Sequence, residues 1–133
     1  MVCFMNSSEK DILINRAIEK SKEAIKTARL NLDNDLLSSA QNRLYYAIFY
    51  VVTALGYKHD FLTSKHGQLI SWFNKKFVHE DKLLDKELFK IYKYNFENRQ
   101  KSDYDFMYEP VKEDVEQSYQ ETLLFIKSVE NFL

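Results

Sequence analysis

The chain has very few of the residues that make sharp turns, bind metals or cradle phosphates. Its 133 residues include two glycines and one proline. So little punctuation favours helices joined by short connections, and two glycines cannot build a glycine-rich phosphate loop. A single cysteine, Cys3, excludes an internal disulfide and fits a reducing compartment. The three histidines, His59, His66 and His79, have no ligand spacing with one another or with Cys3, so neither a metal site nor a cofactor is expected. No serine sits in a nucleophile motif. Met1 to Asn6 lacks the basic and apolar regions of a signal peptide, and no apolar run reaches membrane-spanning length. The expectation is a soluble, cytoplasmic protein with no membrane partner. An excess of one charge is also missing, because 19 Lys and Arg stand against 20 Asp and Glu, for a net charge of −1. A wholesale polycation is excluded, and any nucleic-acid partner would need a local positive potential.

Apolar and aromatic residues are abundant instead. Hydrophobic residues make up 45% of the chain, with nine Tyr, ten Phe and one Trp. That is enough for one folded domain over residues 1–133. Apolar residues recurring at three and four predict five helices, and an all-α, up-and-down bundle. The first runs from about Glu9 to Asn31, capped by Ser8 with Asp11 as its capping-box partner. Its apolar stripe is Ile14, Ala17, Ile18, Ser21, Ala24, Ile25, Ala28 and Leu32. The second starts near Asp33 or Asn34 and stops at Gly56, read as a left-handed C-terminal residue. The third opens at Thr63 or Ser64 and continues to about Val78, with His66, Leu69, Ile70, Phe73 and Phe77 facing inward. The fourth spans about Lys86 to Asp105. The fifth runs to Phe132, with Pro110 in its first turn.

Helix two is the informative one. At about 100° per residue, Ser39, Asn42, Arg43, Tyr46, Tyr50 and Thr53 fall within one arc of about 100°. The rest of the cylinder from Leu44 to Leu55 is aliphatic, Ala, Phe49 or Tyr45. A helix buried on nearly all sides, with one narrow polar stripe, is a central helix that lines something. Helix four adds Arg99 and Asp103, one turn apart on the side of Leu88, Phe89, Tyr92, Phe96 and Met107. The opposite side carries Lys90, Lys93, Glu97 and Lys101. This basic strip reads as a solvated face or as a phosphate-contacting one. An Arg and an Asp on an apolar side need partners. They either pair with each other or line a polar cleft. His66 is a hydrogen-bonded core residue or a polar contact to that cleft. Gly67 beside it would let another backbone approach.

Three motifs stand in order: Asn42-Arg43-x-Tyr45-Tyr46-Ala47 on helix two, Lys65-His66-Gly67 opening helix three, and Arg99-x-x-x-Asp103-Tyr104 late in helix four. Together they resemble the HEPN superfamily (higher eukaryote and prokaryote nucleotide-binding domains), in its branch of small stand-alone prokaryotic proteins, over roughly residues 8–130. The resemblance implies an α-helical bundle, frequent homodimers and, in many relatives, metal-independent ribonuclease activity. It also implies a toxin or effector role beside a nucleotidyltransferase-type partner, the antitoxin of the pair. In the ribonuclease members an Arg and a His with four to six residues between them form the active site across the dimer. Arg99 matches the Arg, but the matching positions hold Tyr104, Asp105 and Phe106. His is the side chain suited to shuttling protons near neutral pH, and Tyr with its pKa near 10 is not.

The expected function is therefore binding of RNA or nucleotide, or attack on it, within a toxin–antitoxin or defence pair. The alternative is a non-catalytic nucleotide-binding or dimerisation module. Arg99, Asp103 and Tyr104 are the candidate catalytic residues, with Asn42, Arg43, Tyr46 and His66 placing substrate. Six of these, all but Tyr104, should converge in space. The aromatic excess and the apolar second helix also suggest a homodimer.

Overall fold

The computed structural model describes residues 6–133, so Cys3 and the leader-peptide argument lie outside the described residues. The described residues form an all-α bundle: α1 (Ser7–Asp33), α2 (Leu37–Lys58), α3 (His66–Phe73), α4 (Lys86–Tyr104) and α5 (Lys112–Glu130). The third helix runs on, as expected, but widens into a π-helical segment at Asn74–Glu80. No described helix is long and apolar enough to cross a membrane.

α2 is the axis of the bundle and packs against α1, α3, α4 and α5. Leu44, Tyr45, Ala47, Ile48, Val51, Val52, Ala54 and Leu55 are all fully buried. Its own four neighbours therefore cover the apolar surface, and no twin is needed to do so. α1 buries small residues, Ala17, Ser21, Ala24 and Ala28, which lets the two helix axes approach closely. Ser21 Oγ uses that approach to donate to the Ala47 carbonyl at 2.7 Å. Behind α2, Phe73, Tyr92 and Phe125 pack ring on ring, with centroids 5.4 to 5.8 Å apart. Each such pair contributes about 0.5–1.5 kcal/mol beyond the area it buries. The apolar stripe expected for α1 and the inner face expected for the third helix both point into this core.

Several local expectations fail, each for a physical reason. Asn6, not Ser8, caps α1: its Oδ1 accepts from Glu9 N at 2.8 Å, and Glu9 returns a bond to Asn6 N. α2 begins later than expected because the chain first turns through Asp35, in the left-handed region at φ 58°. Gly56 is not a left-handed stop. It lies inside α2, where an added Cβ would stand 2.6 Å from the Phe61 carbonyl oxygen. Its role is close backbone approach, and the chain leaves α2 through Asp60 at φ 59°. Gly67, by contrast, has open space around it, so no backbone approaches there. Pro110 precedes α5 instead of entering its first turn. Met107 lies beyond α4 and is 88% exposed.

Candidate functional site

The polar stripe of α2 places the site. At Asn42 and Arg43 the chain makes its first polar link, with Arg43 Nε and Nη2 donating to Asn42 Oδ1 at 3.1 and 2.7 Å. One turn on, the Arg43 guanidinium lies 5.0 Å from the centre of the Tyr46 ring. From α4, Arg99 reaches the same ring at 5.9 Å and the Tyr45 ring at 4.9 Å. Its Nη1 meets Asp103 Oδ2 at 3.4 Å, so the two do pair, i to i+4, but loosely. The Arg99 side chain is 12% exposed, and its Nε is buried with no hydrogen-bond partner. A half-satisfied guanidinium over two aromatic faces keeps donor capacity for an anion.

His66, at the start of α3, enters from the other side of these rings. It stacks on Phe49 at 4.2 Å and meets Tyr46 edge-on at 5.8 Å. Its Nδ1 shares a hydrogen bond with the Tyr45 hydroxyl. Burial pushes the Tyr45 phenol well above its ordinary pKa, so Tyr45 keeps its proton. Tyr45 and His66 Nδ1 thus share one hydrogen bond, whose donor is set by the imidazole tautomer. Burial, and then the charge of Arg99, hold the His66 pKa below its ordinary value. His66 is thus a ring held towards its neutral form, with Nδ1 engaged by Tyr45.

Asn42, Arg43, Tyr46, His66, Arg99 and Asp103 therefore form one connected cluster, as expected from their faces. Asn42, Arg43 and Asp103 also border a concavity of about 410 Å³. Tyr104 does not join them. It is 77% exposed, at the last turn of α4, and no side-chain partner holds it. The basic strip of α4 carries its own counter-charges: Lys90 pairs with Glu87 at 3.1 Å and Lys93 lies 4.0 Å from Glu97.

Two features escape the periodicity. Tyr45, read as one more apolar position, is the hub that touches both Arg99 and His66. The signal was its hydroxyl, because a tyrosine on an otherwise apolar face must find a polar partner. The second is a link behind the site. Ser102 Oγ donates to buried Gln41 Oε1 at 2.6 Å, and Gln41 Nε2 donates to Tyr108 Oη at 3.2 Å. It ties the end of α4 and the following loop to α2, and so fixes the height of Arg99 and Asp103.

Comparison with known proteins now decides the family. The HEPN domain family model matches residues 14–132. The chain belongs to the HEPN family. A UPF0332 protein of Thermotoga maritima is 35% identical over 126 residues, 95% of either chain. Two proteins of Methanocaldococcus jannaschii, each named "Putative toxin", are 28% and 29% identical and cover 90% of this chain. They are matched over 81% and 88% of their own lengths. In this HEPN chain, residues 104–106 are Tyr, Asp and Phe, and the imidazole that shares rings with Arg99 comes from α3 instead.

Proposed function

We propose that this HEPN protein binds single-stranded RNA through a backbone phosphate at Arg99, and that it is the toxin-class partner of a toxin–antitoxin or defence pair. The observation that carries the reading is the state of Arg99. Its guanidinium is nearly buried, rests on two tyrosine rings and has one carboxylate contact at 3.4 Å. A planar fork with free donors beside aromatic faces suits a phosphodiester and its base. Arg43 adds a second cation across Tyr46, held by Asn42, while Asp103 touches Arg99 only loosely. The toxin names of the two archaeal relatives support the cellular role, and a nucleotidyltransferase-type antitoxin is the partner to seek beside the gene.

Cleavage at this site would need no metal. The ribose 2′-oxygen would attack the adjacent phosphorus, the bond from phosphorus to O5′ would break, and a 2′,3′-cyclic phosphate and a 5′-hydroxyl would form. The 2′-hydroxyl proton must leave to a base, and the departing O5′ must gain one. Arg99 is suited to the extra charge on the phosphoryl oxygens. His66, with Nδ1 engaged by Tyr45, has only Nε2 to offer the substrate, and its lowered pKa makes it a weak base for the 2′ proton. Cleavage should therefore be weak beside phosphate binding. Tyr104 is placed to matter only if a partner covers it.

A homodimer belongs to the same reading. At the end of α4 and just beyond it, Tyr104, Phe106 and Met107 are 77%, 99% and 88% exposed, close along the chain to Asp103, so a second copy seated there would border the Arg99 site. Sedimentation at tens of micromolar, roughly, should show the dimer, with Phe106→Ser shifting it to monomer. The main test is purified protein with a labelled single-stranded RNA in the presence of a chelator, with Arg99→Ala and Tyr104→Phe alongside. Arg99-dependent binding is expected. Robust cleavage that survives Arg99→Ala would put the site elsewhere. No binding by the parent would leave a structural dimerisation module.

A further inference from the structure

The concavity at Asn42, Arg43 and Asp103 does not end there. A second hollow, about 220 Å³, shares Arg43 with it and continues along the seam between α1 and α2, past Tyr50 to Arg16 and Lys20. A third, about 380 Å³, shares Arg16, Lys20 and Tyr50 with the second and runs on to Phe49, Tyr57 and His66. The track closes on itself chemically, because His66 borders the third hollow and is also bonded to Tyr45 beneath Arg99. From Leu13 to Thr27 the seam is about 20 Å long at 1.5 Å per residue, longer than one nucleotide.

The lining is selective. No Asp or Glu borders the third hollow, although two cations do. Glu23 is the one carboxylate of the second. Arg16 pairs with Glu19 at 3.3 Å on an exposed face. In a chain of net charge −1, the local positive charge that a nucleic-acid site requires therefore rests chiefly on Lys20 and Arg43. Aromatic faces alternate with the cations: Lys20 Nζ sits 5.5 Å above the Tyr50 ring, while Phe49 and His66 stack face to face at 4.2 Å. Hydroxyls of Thr53, Thr63 and Ser64 complete the walls, and such groups can read a ribose 2′-hydroxyl. A larger hollow near residues 7 and 133, about 490 Å³, has three lysines, Lys10, Lys22 and Lys58. It also has Asp11 and Glu130, and no aromatic lining on which a base could stack.

We infer that the α1–α2 seam is a binding track for the RNA flanking the phosphate at Arg99, with Arg16 and Lys20 holding phosphates and Tyr50 and Tyr57 stacking bases. The inference rests on the RNA reading of Arg99 and deepens it. The substrate class becomes a single-stranded oligonucleotide rather than a mononucleotide. It also gives most of the narrow polar stripe of α2 a use, since Asn42, Arg43, Tyr50 and Thr53 each border at least one of the three hollows.

The test uses length and position. Binding of a dinucleotide and of an RNA of about eight nucleotides is compared for the parent, Arg16→Glu/Lys20→Glu, Tyr50→Leu and Arg99→Ala. Arg16 and Lys20 are exposed, so the double variant should fold. It should weaken the longer RNA at least tenfold, roughly, and flatten its salt dependence by about 1.4 in log–log slope, two phosphates' worth. The dinucleotide should be unaffected. Tyr50→Leu should cost the longer RNA roughly tenfold through lost stacking. In parallel, a 4-thiouridine-substituted RNA is photocrosslinked and the linked residues are identified by mass spectrometry. Links at Tyr50 or Tyr57 support the track. Arg99-dependent binding with no links there, and no effect of the double variant, would overturn the track and leave the Arg99 reading intact. Links at Tyr50 or Tyr57 that survive Arg99→Ala with full affinity would keep the track and overturn the Arg99 reading. No RNA binding at all would overturn both.

Discussion

Two arginines of this bundle lie over tyrosine rings at the same distance, and their partners equip them for opposite tasks. Arg29 of α1 is 4.9 Å from the centre of Tyr119, and Arg99 of α4 is 4.9 Å from the centre of Tyr45. Arg29 has its fork filled. Nε and Nη2 donate to Asp33 at 3.1 and 2.7 Å, while Nη1 and Nη2 donate to Glu116 at 2.9 and 2.7 Å. Arg99 has one bond of 3.4 Å and an orphaned Nε. The less satisfied arginine is also the less exposed, at 12% against 32%. Desolvating a cation without carboxylates to match is unfavourable, so the contrast separates a clamp between α1 and α5 from a cation held ready for an anion.

The sharpest way to break that contrast is to delete each head group in turn. Arg99→Ala should lower any RNA cleavage by about 10²–10³-fold, the scale of a lost transition-state donor, and lower RNA affinity roughly tenfold. Its thermal stability should fall only by the lost stacking, about 0.5–2 kcal/mol. Arg29→Ala should leave RNA affinity untouched while lowering the melting temperature. The reverse pattern in binding assays and thermal melts would exchange the two roles.

Tyr45→Phe probes the ring system that supports Arg99. The face stays, so Arg99 keeps its seat, but His66 Nδ1 loses its hydrogen-bond partner and is left half-buried and unpaired, costing about 1–3 kcal/mol. Freed from the phenol, the imidazole can carry its proton on either nitrogen. Any cleavage should then change its pH profile while Arg99-dependent binding stays within about twofold. Unchanged stability would mean that the Tyr45–His66 bond contributes nothing.

How far the sequence exposes this contrast depends on what periodicity can see. Five helices and the inward faces of Arg99 and His66 follow from a 3.6-residue repeat, because burial sets that repeat; Asp103, also expected inward, is exposed. Turn chemistry was less legible. The chain reverses at Asp35, Asp60 and Lys82, all non-glycine residues at positive φ, whereas Gly56, which looked like a stop, is needed for contact with the Phe61 carbonyl. A π-helical segment leaves no trace in apolar spacing. Tyr45 was hidden because a wheel scores its ring as apolar and ignores its hydroxyl. Gln41 was hidden because its partners, Ser102 and Tyr108, are far along the chain. The Arg29 clamp was invisible for the same reason, as Glu116 lies 87 residues away.

Acid should weaken the fold around its two partly buried histidines, His66 beside Arg99 and His59 against Trp72 and Phe77. Burial lowers the folded pKa of His66, with Arg99 adding to it, and burial also lowers that of His59, with Lys76 and Lys58 adding. Unfolded histidine titrates near 6.5. Between the folded values and that pH the unfolded chain binds more protons, so stability must fall as pH drops through the window and level off below it. Urea denaturation at about pH 7.5 and 5.5 should show a lower midpoint in acid, and His66→Asn should show a smaller drop. An equal drop in that variant would assign the effect to other groups.

The smallest effect, and the finest test of the comparison, lies in the carboxylates. Hydrogen bonds from Arg29 hold the Glu116 carboxyl below its ordinary 4.5. The stability it contributes is therefore present above that ordinary value and is lost as pH falls through the lower, folded one. Both groups reach solvent, so salt should screen the contribution as well. A double-mutant cycle on Arg29 and Glu116 should give a measurable favourable coupling at neutral pH and low salt. That coupling should shrink in high salt and vanish in strong acid. The same cycle on Arg99 and Asp103 should give a coupling near zero, because a single bond of 3.4 Å holds neither group firmly. Saturating RNA should then change the second cycle and leave the first as it was, since only Arg99 has donors left to give. A large coupling between Arg99 and Asp103 in the free protein would mean that its fork is already filled, and the two arginines would do the same job.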